Sequence, residues 1–242
     1  MVGLFNTFIY EPIYNALAFI VSVVPAGDIG IAIILLTAII KFALFPLSLK
    51  AVRTQALMRE IDPELKRIRD ELKDNKEELA RQTMALFKDK KINPFASFFL
   101  ILIQLPIILG LYFVFLNEGG AGGFDPNLIY SFISVPENVN FMFLGFVDLA
   151  GKSISLAVLV AITQFINARL MMPVAPQGEE GSLQGDLAKS MHLQMRYVFP
   201  IVMGGIAYAI SAAIALYFLV SNLFQLFQEL YVKQTQKNDE PQ

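Results

Sequence analysis

The residues able to do chemistry in this chain are few, and the most unusual is Lys41. It sits inside the run ILLTAIIKFALFPL at residues 34–47, which is apolar enough to cross a membrane. A cation in a bilayer centre costs at least a few kcal/mol unless it faces water or a partner. Snorkelling is the simplest relief. If Lys50 marks the interface and the helix is straight, nine residues place Lys41 roughly 13 Å deeper, about twice the reach of a lysine stem. No Asp or Glu lies within a predicted span core to neutralise it. A water-filled cavity open to the cytoplasm meets the cost, and its cation would attract acidic or polar segments. Other polar residues fall on stripes within the apolar stretches: Thr37, Lys41 and Ser48; Ser97 and Gln104; Thr163, Gln164 and Asn167; Ser211, Asn222 and Gln225. Converging, they would line such a cavity. Taken singly, Gln104 or Asn167 reads better as interhelical hydrogen-bond glue, worth about 0.6–2 kcal/mol. Ser48 and Gln225 also fit an interfacial position.

Other chemistries are excluded by what the sequence lacks. There is no cysteine, so disulfides, thiolate metal sites, cysteine nucleophiles and a lipidated cysteine are out. The single histidine, His192, disfavours a histidine metal site or catalytic triad. No P-loop pattern occurs. The sequence predicts no catalytic residue, no metal, no cofactor and no specific nucleic-acid binding.

The elements that must position these residues are apolar helices. Of 242 residues 55% are hydrophobic and only 17% charged, and mean hydropathy is +0.56. Soluble domains are nearer a quarter charged, so the class is a polytopic membrane protein. Spans of roughly 20 residues are predicted at 29–49, 94–116 and 153–172. The stretch 197–232 holds two more, broken near Tyr208 to Ala213. Residues 1–28 are apolar enough to span, but Glu11-Pro12 and several polar residues favour an interfacial amphipathic helix followed by a turn. Neither a signal peptide nor a transit peptide is evident, which predicts a prokaryotic protein with its mature ends intact.

Orientation follows from the basic residues. Residues 50–91 carry 12 of the 19 Lys and Arg, residues 1–40 carry none, and 117–152 carries only Lys152. The positive-inside rule places 50–93 in the cytoplasm and 117–152 outside. The N-terminus is then outside, and the 173–196 loop and 233–242 tail are cytoplasmic. A sixth span at the N-terminus would leave the other loops undisturbed, so charge alone decides only those loops. Within 50–93, Ile61, Leu65, Ile68 and Leu72 recur at helical spacing. Asp62-Pro63 resembles a helix start, and residues 73–76 a turn into a second helix over 77–89. This hairpin is either a solvated connector or a contact arm, with Lys66, Arg67, Arg69, Lys73, Lys88, Lys90 and Lys91 as its basic contact residues.

The ordered motifs resemble those of the YidC-type membrane protein insertases, including the mitochondrial and chloroplast relatives. GIAIILLTAIIKFALFPLSLKA resembles the first core span, where a basic residue precedes Pro-Leu. DPELKRI, INPFASFFLILIQLPIILGLY, ITQFINARLMMP and FPIVMGGIAYAISAAIALYFLVSNLFQLFQ resemble the hairpin and the later spans, so the likeness covers almost the whole chain. It implies an all-α fold of five transmembrane helices around a hydrophilic groove, open to cytoplasm and lipid and closed outside. The groove cation carries over to Lys41 and the groove amides to Gln104, Gln164 and Asn222. Lysine replaces the usual arginine, keeping charge but losing the planar fork. The break between the last spans reads Ala209 to Ala213 instead of a Pro-Ala-Gly-like turn, and the tail is short and weakly basic.

The expected function is insertion of nascent membrane proteins at a bacterial-type plasma membrane, without nucleotide hydrolysis. Its partners would be nascent chains and the lipid bilayer, with a Sec translocon and the ribosome as further candidates. A small anion channel using Lys41, or a non-catalytic assembly scaffold, are the alternatives. The first is disfavoured by the lack of an internal repeat.

Overall fold

The computed structural model describes residues 2–73, 75–93, 96–118, 123–136, 138–171, 190 and 193–239. The expected 173–196 loop falls largely outside these residues, as do residues 94–95 at the start of the second predicted span and 240–242 of the tail. The described chain is mostly helical. Two helices are long and apolar enough to cross a membrane, Gly3–Val23 and Ala212–Thr235, and a third is counted if one bent pair is a single span. Leu102–Phe115 and Ile154–Leu170 are shorter apolar helices.

The N-terminal segment runs through α1 (Val2–Phe5), a π-turn (Asn6–Tyr10) and α2 (Glu11–Val23). Its most buried amide is satisfied by protein. Asn15 is buried; its amide donates to the Glu11 and Leu128 carbonyls at 2.9 Å, and its oxygen accepts the Tyr130 N–H at 2.7 Å. Both ends of the segment lie toward one end of the bundle. Phe5 stacks edge-on against Phe113, near the C-terminus of α7 (Ala96–Glu118). Val23 leads through a tight turn to Asp28, whose carboxylate caps α3 (Ile29–Ala43) by accepting from Gly30 and Ile31.

The first predicted span does not run straight to Leu49. α3 stops at Ala43, and α4 (Phe45–Glu60) leaves it at 69°. Pro46 is the cause. It has no N–H for the Phe42 carbonyl and its ring clashes with that turn, yet it suits the first turn of a new helix. Lys41 is therefore two residues from the end of α3, and the depth computed from a straight helix to Lys50 no longer applies.

α4 continues into α5 (Asp62–Glu71), which packs on α6 (Lys76–Asp89). Ile61, Ile68, Leu86 and Ile92 form their shared core, separate from that of the main bundle. Asn75 caps α6 by accepting the Glu78 N–H. Arg81 and Gln82 hold the exposed Glu78 carboxyl below its ordinary range.

After α7, β1 (Met142–Phe143) and β2 (Val147–Asp148) form a short antiparallel hairpin. Then come α8 (Ile154–Met171), α9 (Phe199–Ile210) and α10 (Ala212–Asp239). The break between α9 and α10 is Ser211, in extended conformation, inside the stretch expected from the sequence. α10 is the hub and packs on α3, α4, α7, α8 and α9. Its first turns are lined with buried Ala212, Ala213 and Ala215, small residues that permit close helix approach.

The α8–α9 contact depends on Gly204, where a Cβ would lie 2.9 Å from the Ala161 Cβ and 3.1 Å from the Ala157 carbonyl oxygen. Gly205 has open space. Gly204→Val is expected to destabilise the bundle by about 1–3 kcal/mol, the usual cost of overpacking. Gly205→Val pays the same helix propensity without the clash. Survival of the monodisperse species on size exclusion after heating checks this, with Gly204→Val lost at clearly lower temperature than Gly205→Val.

Candidate functional site

Lys41, on the last turn of α3, points across the bundle to α7. Its ammonium donates to the Gln104 side-chain oxygen at 3.4 Å. The Gln104 amide in turn donates to the Tyr217 hydroxyl on α10. Lys41 and Gln104 are half-buried, whereas Tyr217 is fully enclosed. Each link has a local cause. Pro46 ends α3 just past Lys41, and Pro106 removes one backbone hydrogen bond of α7 next to Gln104. Among the described residues, the ion pairs do not include Lys41. A neutral amide orients the ammonium without cancelling its charge, so the charge remains available to a third group.

Polar contacts continue along α10. Thr163, Asn167 and Asn222 form one cluster between α8 and α10. The Asn167 amide donates to the Asn222 carbonyl at 3.0 Å, and the Asn222 amide donates to the Thr163 hydroxyl at 3.1 Å. All three are buried, and for Asn167 this fits the reading as interhelical glue. Further along, the Gln228 amide donates to the Ser48 hydroxyl at 2.6 Å. Gln164 and Gln225 are half-buried on the same helices.

Two of the expected groove residues are turned to other tasks. Thr37 is buried and its hydroxyl donates to the Ile33 carbonyl at 2.6 Å within its own helix. Ser211 lies at the break, at the opposite end of α10 from Ser48, and its hydroxyl accepts the Ile214 N–H at 3.3 Å as a helix cap. Periodicity put Thr37 on its helix and Ser211 one residue short of one, and could not tell a cap or a back-bonded threonine from a cavity lining.

Sequence reasoning missed Tyr217 and a buried ion pair. Arg59 on α4 bonds to both the Glu229 carboxylate on α10 and the Leu170 carbonyl near the end of α8. Glu229 is 1% exposed, and Lys233 sits 3.9 Å from the same oxygen. Glu229 lies at the edge of the 197–232 stretch, outside what was counted as span core. The partners are 170 positions apart, so no local spacing pairs them. The hydroxyl of Tyr217 in LYFLVSN could have been flagged as a polar group in an apolar run. On the hairpin, Lys66 pairs with Asp62 at 2.9 Å and Arg67 with Glu71 at 3.7 Å. Arg69, Lys73, Lys88, Lys90 and Lys91 are exposed.

A mostly helical chain with apolar, membrane-length helices and polar side chains bonded in its interior defines an all-α membrane protein. The chain belongs to the 60Kd inner membrane protein family, whose model matches residues 19–240. It is 34% identical over 221 residues to a membrane protein insertase YidC of Clostridium tetani, covering 90% of this chain and 89% of that protein. It is 29% identical over 246 residues to the membrane protein insertase MisCA of Bacillus subtilis, covering 98% and 83%. With the YidC of Hahella chejuensis it shares 29% identity over 95% of its own length but 35% of that longer protein. The resemblance drawn from the ordered motifs is thereby borne out.

The ion pair generates a prediction. Glu229→Leu leaves Arg59 without its counter-charge in a mostly buried position and is expected to cost about 3 kcal/mol. The double variant Arg59→Met with Glu229→Leu removes both charges and is expected to recover most of that loss. A double-mutant cycle on heat survival in detergent reads the coupling directly.

Proposed function

We propose that this protein is a membrane protein insertase of a bacterial-type plasma membrane. It takes up short hydrophilic segments of nascent membrane proteins from the cytoplasm and releases the adjoining apolar segment into lipid. The observation that carries this reading is Lys41, a cation held by Gln104, itself anchored on Tyr217, and absent from the ion pairs among the described residues. Likeness to proteins named membrane protein insertase, over most of both chains, supports it.

In this reading α3 with its bent continuation, α7, α8, α9 and α10 are five spans around a hydrophilic groove. Lys41, Gln104, Gln164 and Gln225 line it, while Asn167 and Asn222 brace its wall. The α5–α6 hairpin with its basic residues is cytoplasmic and offers a contact arm to the ribosome or a Sec translocon. The N-terminus is outside and the C-terminus inside. α1–α2 lies across the outer end of the bundle. Phe113, beside Phe5, is only about 8 Å from the end of α7 by helical rise, and the segment's other end joins the start of α3. A helix spanning the bilayer would have its ends at opposite faces.

The groove lowers the desolvation cost of the hydrophilic segment, and burial of the apolar segment in lipid drives release. Nucleotide hydrolysis has no part in such a cycle. Lys41→Ala is expected to lower insertion of single-span reporters with acidic tails into proteoliposomes by an order of magnitude or so, while Lys41→Arg retains it. Neutral-tailed reporters should be less affected. Full activity of Lys41→Ala with acidic-tailed reporters would refute the role given to this charge.

A further inference from the structure

The hairpin β1–β2 breaks a turn rule in a way the bundle does not require. Three residues, 144–146, join the strands; the Phe146 N–H donates to the Phe143 carbonyl at 3.0 Å and closes a tight turn whose central pair, Leu144-Gly145, has φ of +50° and +76°. Such turns favour Asn-Gly or Asp-Gly, because a bulky side chain resists positive φ. Leu144 is held there by Asp28, which accepts the Leu144 N–H at 2.9 Å with one carboxylate oxygen while the other caps α3. The effect is to display apolar side chains. Leu144 is 58% exposed and Phe146 is 86% exposed. Phe143, just before them, turns inward onto Gly30, where a Cβ would lie 2.2 Å from its ring. No charged residue occurs from 138 to 147.

We propose that Leu144 and Phe146 form a wedge that inserts into the outer leaflet of the bilayer and fixes the height of the first span. The occupant of this surface is lipid. The hairpin is stitched to the first turn of α3: the Asn140 N–H donates to the Gly27 carbonyl at 2.9 Å, and the Ile29 N–H donates to the Asn140 carbonyl at 3.0 Å. The tip therefore stands level with the end of a helix whose outward face, Leu35, Ile39 and Phe42, is apolar and exposed. Phe19 and Val23 at the end of α2 are exposed as well. At that level the exposed, uncharged tip enters the apolar layer without desolvating a charge. A strained apolar turn in open water would gain nothing. The inference rests on α3 being a span entered from outside.

The chain has no tryptophan, so Phe146→Trp creates a single fluorophore, and Ile39→Trp a matching one on α3. Each variant is reconstituted into liposomes containing phospholipids brominated near the headgroup or near the chain end. Phe146→Trp is expected to lose most of its emission to the shallow brominated lipid, with little loss to aqueous iodide. Ile39→Trp should respond to bromolipid as well. Quenching of Phe146→Trp by iodide alone, with Ile39→Trp still quenched by lipid, would overturn the wedge and leave the span intact. Iodide quenching of both would overturn the two readings together.

Discussion

The polar side chains that α10 carries into the bundle constrain everything around it. In an interior without bulk water a hydroxyl, amide or carboxylate must find a protein partner or bear the cost of its desolvation. Tyr217, Asn222, Gln228 and Glu229 span about 18 Å of helix by rise, and each finds its partner on a different stretch of a neighbouring element. Tyr217 takes α7 through Gln104, Asn222 takes α8 through Thr163, and Gln228 and Glu229 take α4 through Ser48 and Arg59. Van der Waals packing among the alanines at the start of α10 would tolerate rotation and sliding. These directional bonds do not, so they set the register of three helices against one.

The bend at Pro46 follows from the same constraint. If α3 ran straight, residues 45–60 would leave the bundle, and Ser48 and Arg59 could not meet Gln228 and Glu229. The bend folds α4 back across the end of α10. The α5–α6 hairpin continues from α4, so its attachment to the bundle passes through this elbow. The buried pair at Arg59 thereby couples the arm to the helix that also holds Tyr217.

Apolar stretches, the break near Ser211 and the paired helices after Asp62 were legible because they rest on local signals: hydropathy, helical period and cap residues. The bend was not read, although Pro46 was in view, since proline in an apolar run also occurs within continuous spans. The Lys41–Gln104 contact was legible only as two stripes that ought to converge. Which atoms meet depends on the crossing of α3 and α7, which the sequence does not specify locally. Arg59–Glu229 was illegible for a different reason. Charges at predicted span edges read as interfacial, and only the tertiary fold turns that edge into an interior. The polar residues of α2 favoured an interfacial helix, but not for the reason read from Asn15. Asn15 looked like a reason to sit in water, but the loop after α7 satisfies it.

The two kinds of charge in the interior are handled differently, and that contrast singles out Lys41. Glu229 is flanked by Arg59 and Lys233, and the Arg59 guanidinium donates to the Leu170 carbonyl as well. Removing one partner from such an arrangement leaves a stranded charge, which is how structural pairs behave. Lys41 has an amide in place of a carboxylate. A carboxylate there would have stabilised the ammonium more strongly but would have left it nothing to attract. Gln104 and Tyr217 hold it in position at lower cost to its field. Three residues from the helix break, near the elbow rather than deep in a straight span, it also needs less water to remain charged than the uninterrupted helix implied. Under the proposed function, this is what lets an acidic or polar segment engage it and leave again, which a permanent partner in that position would prevent.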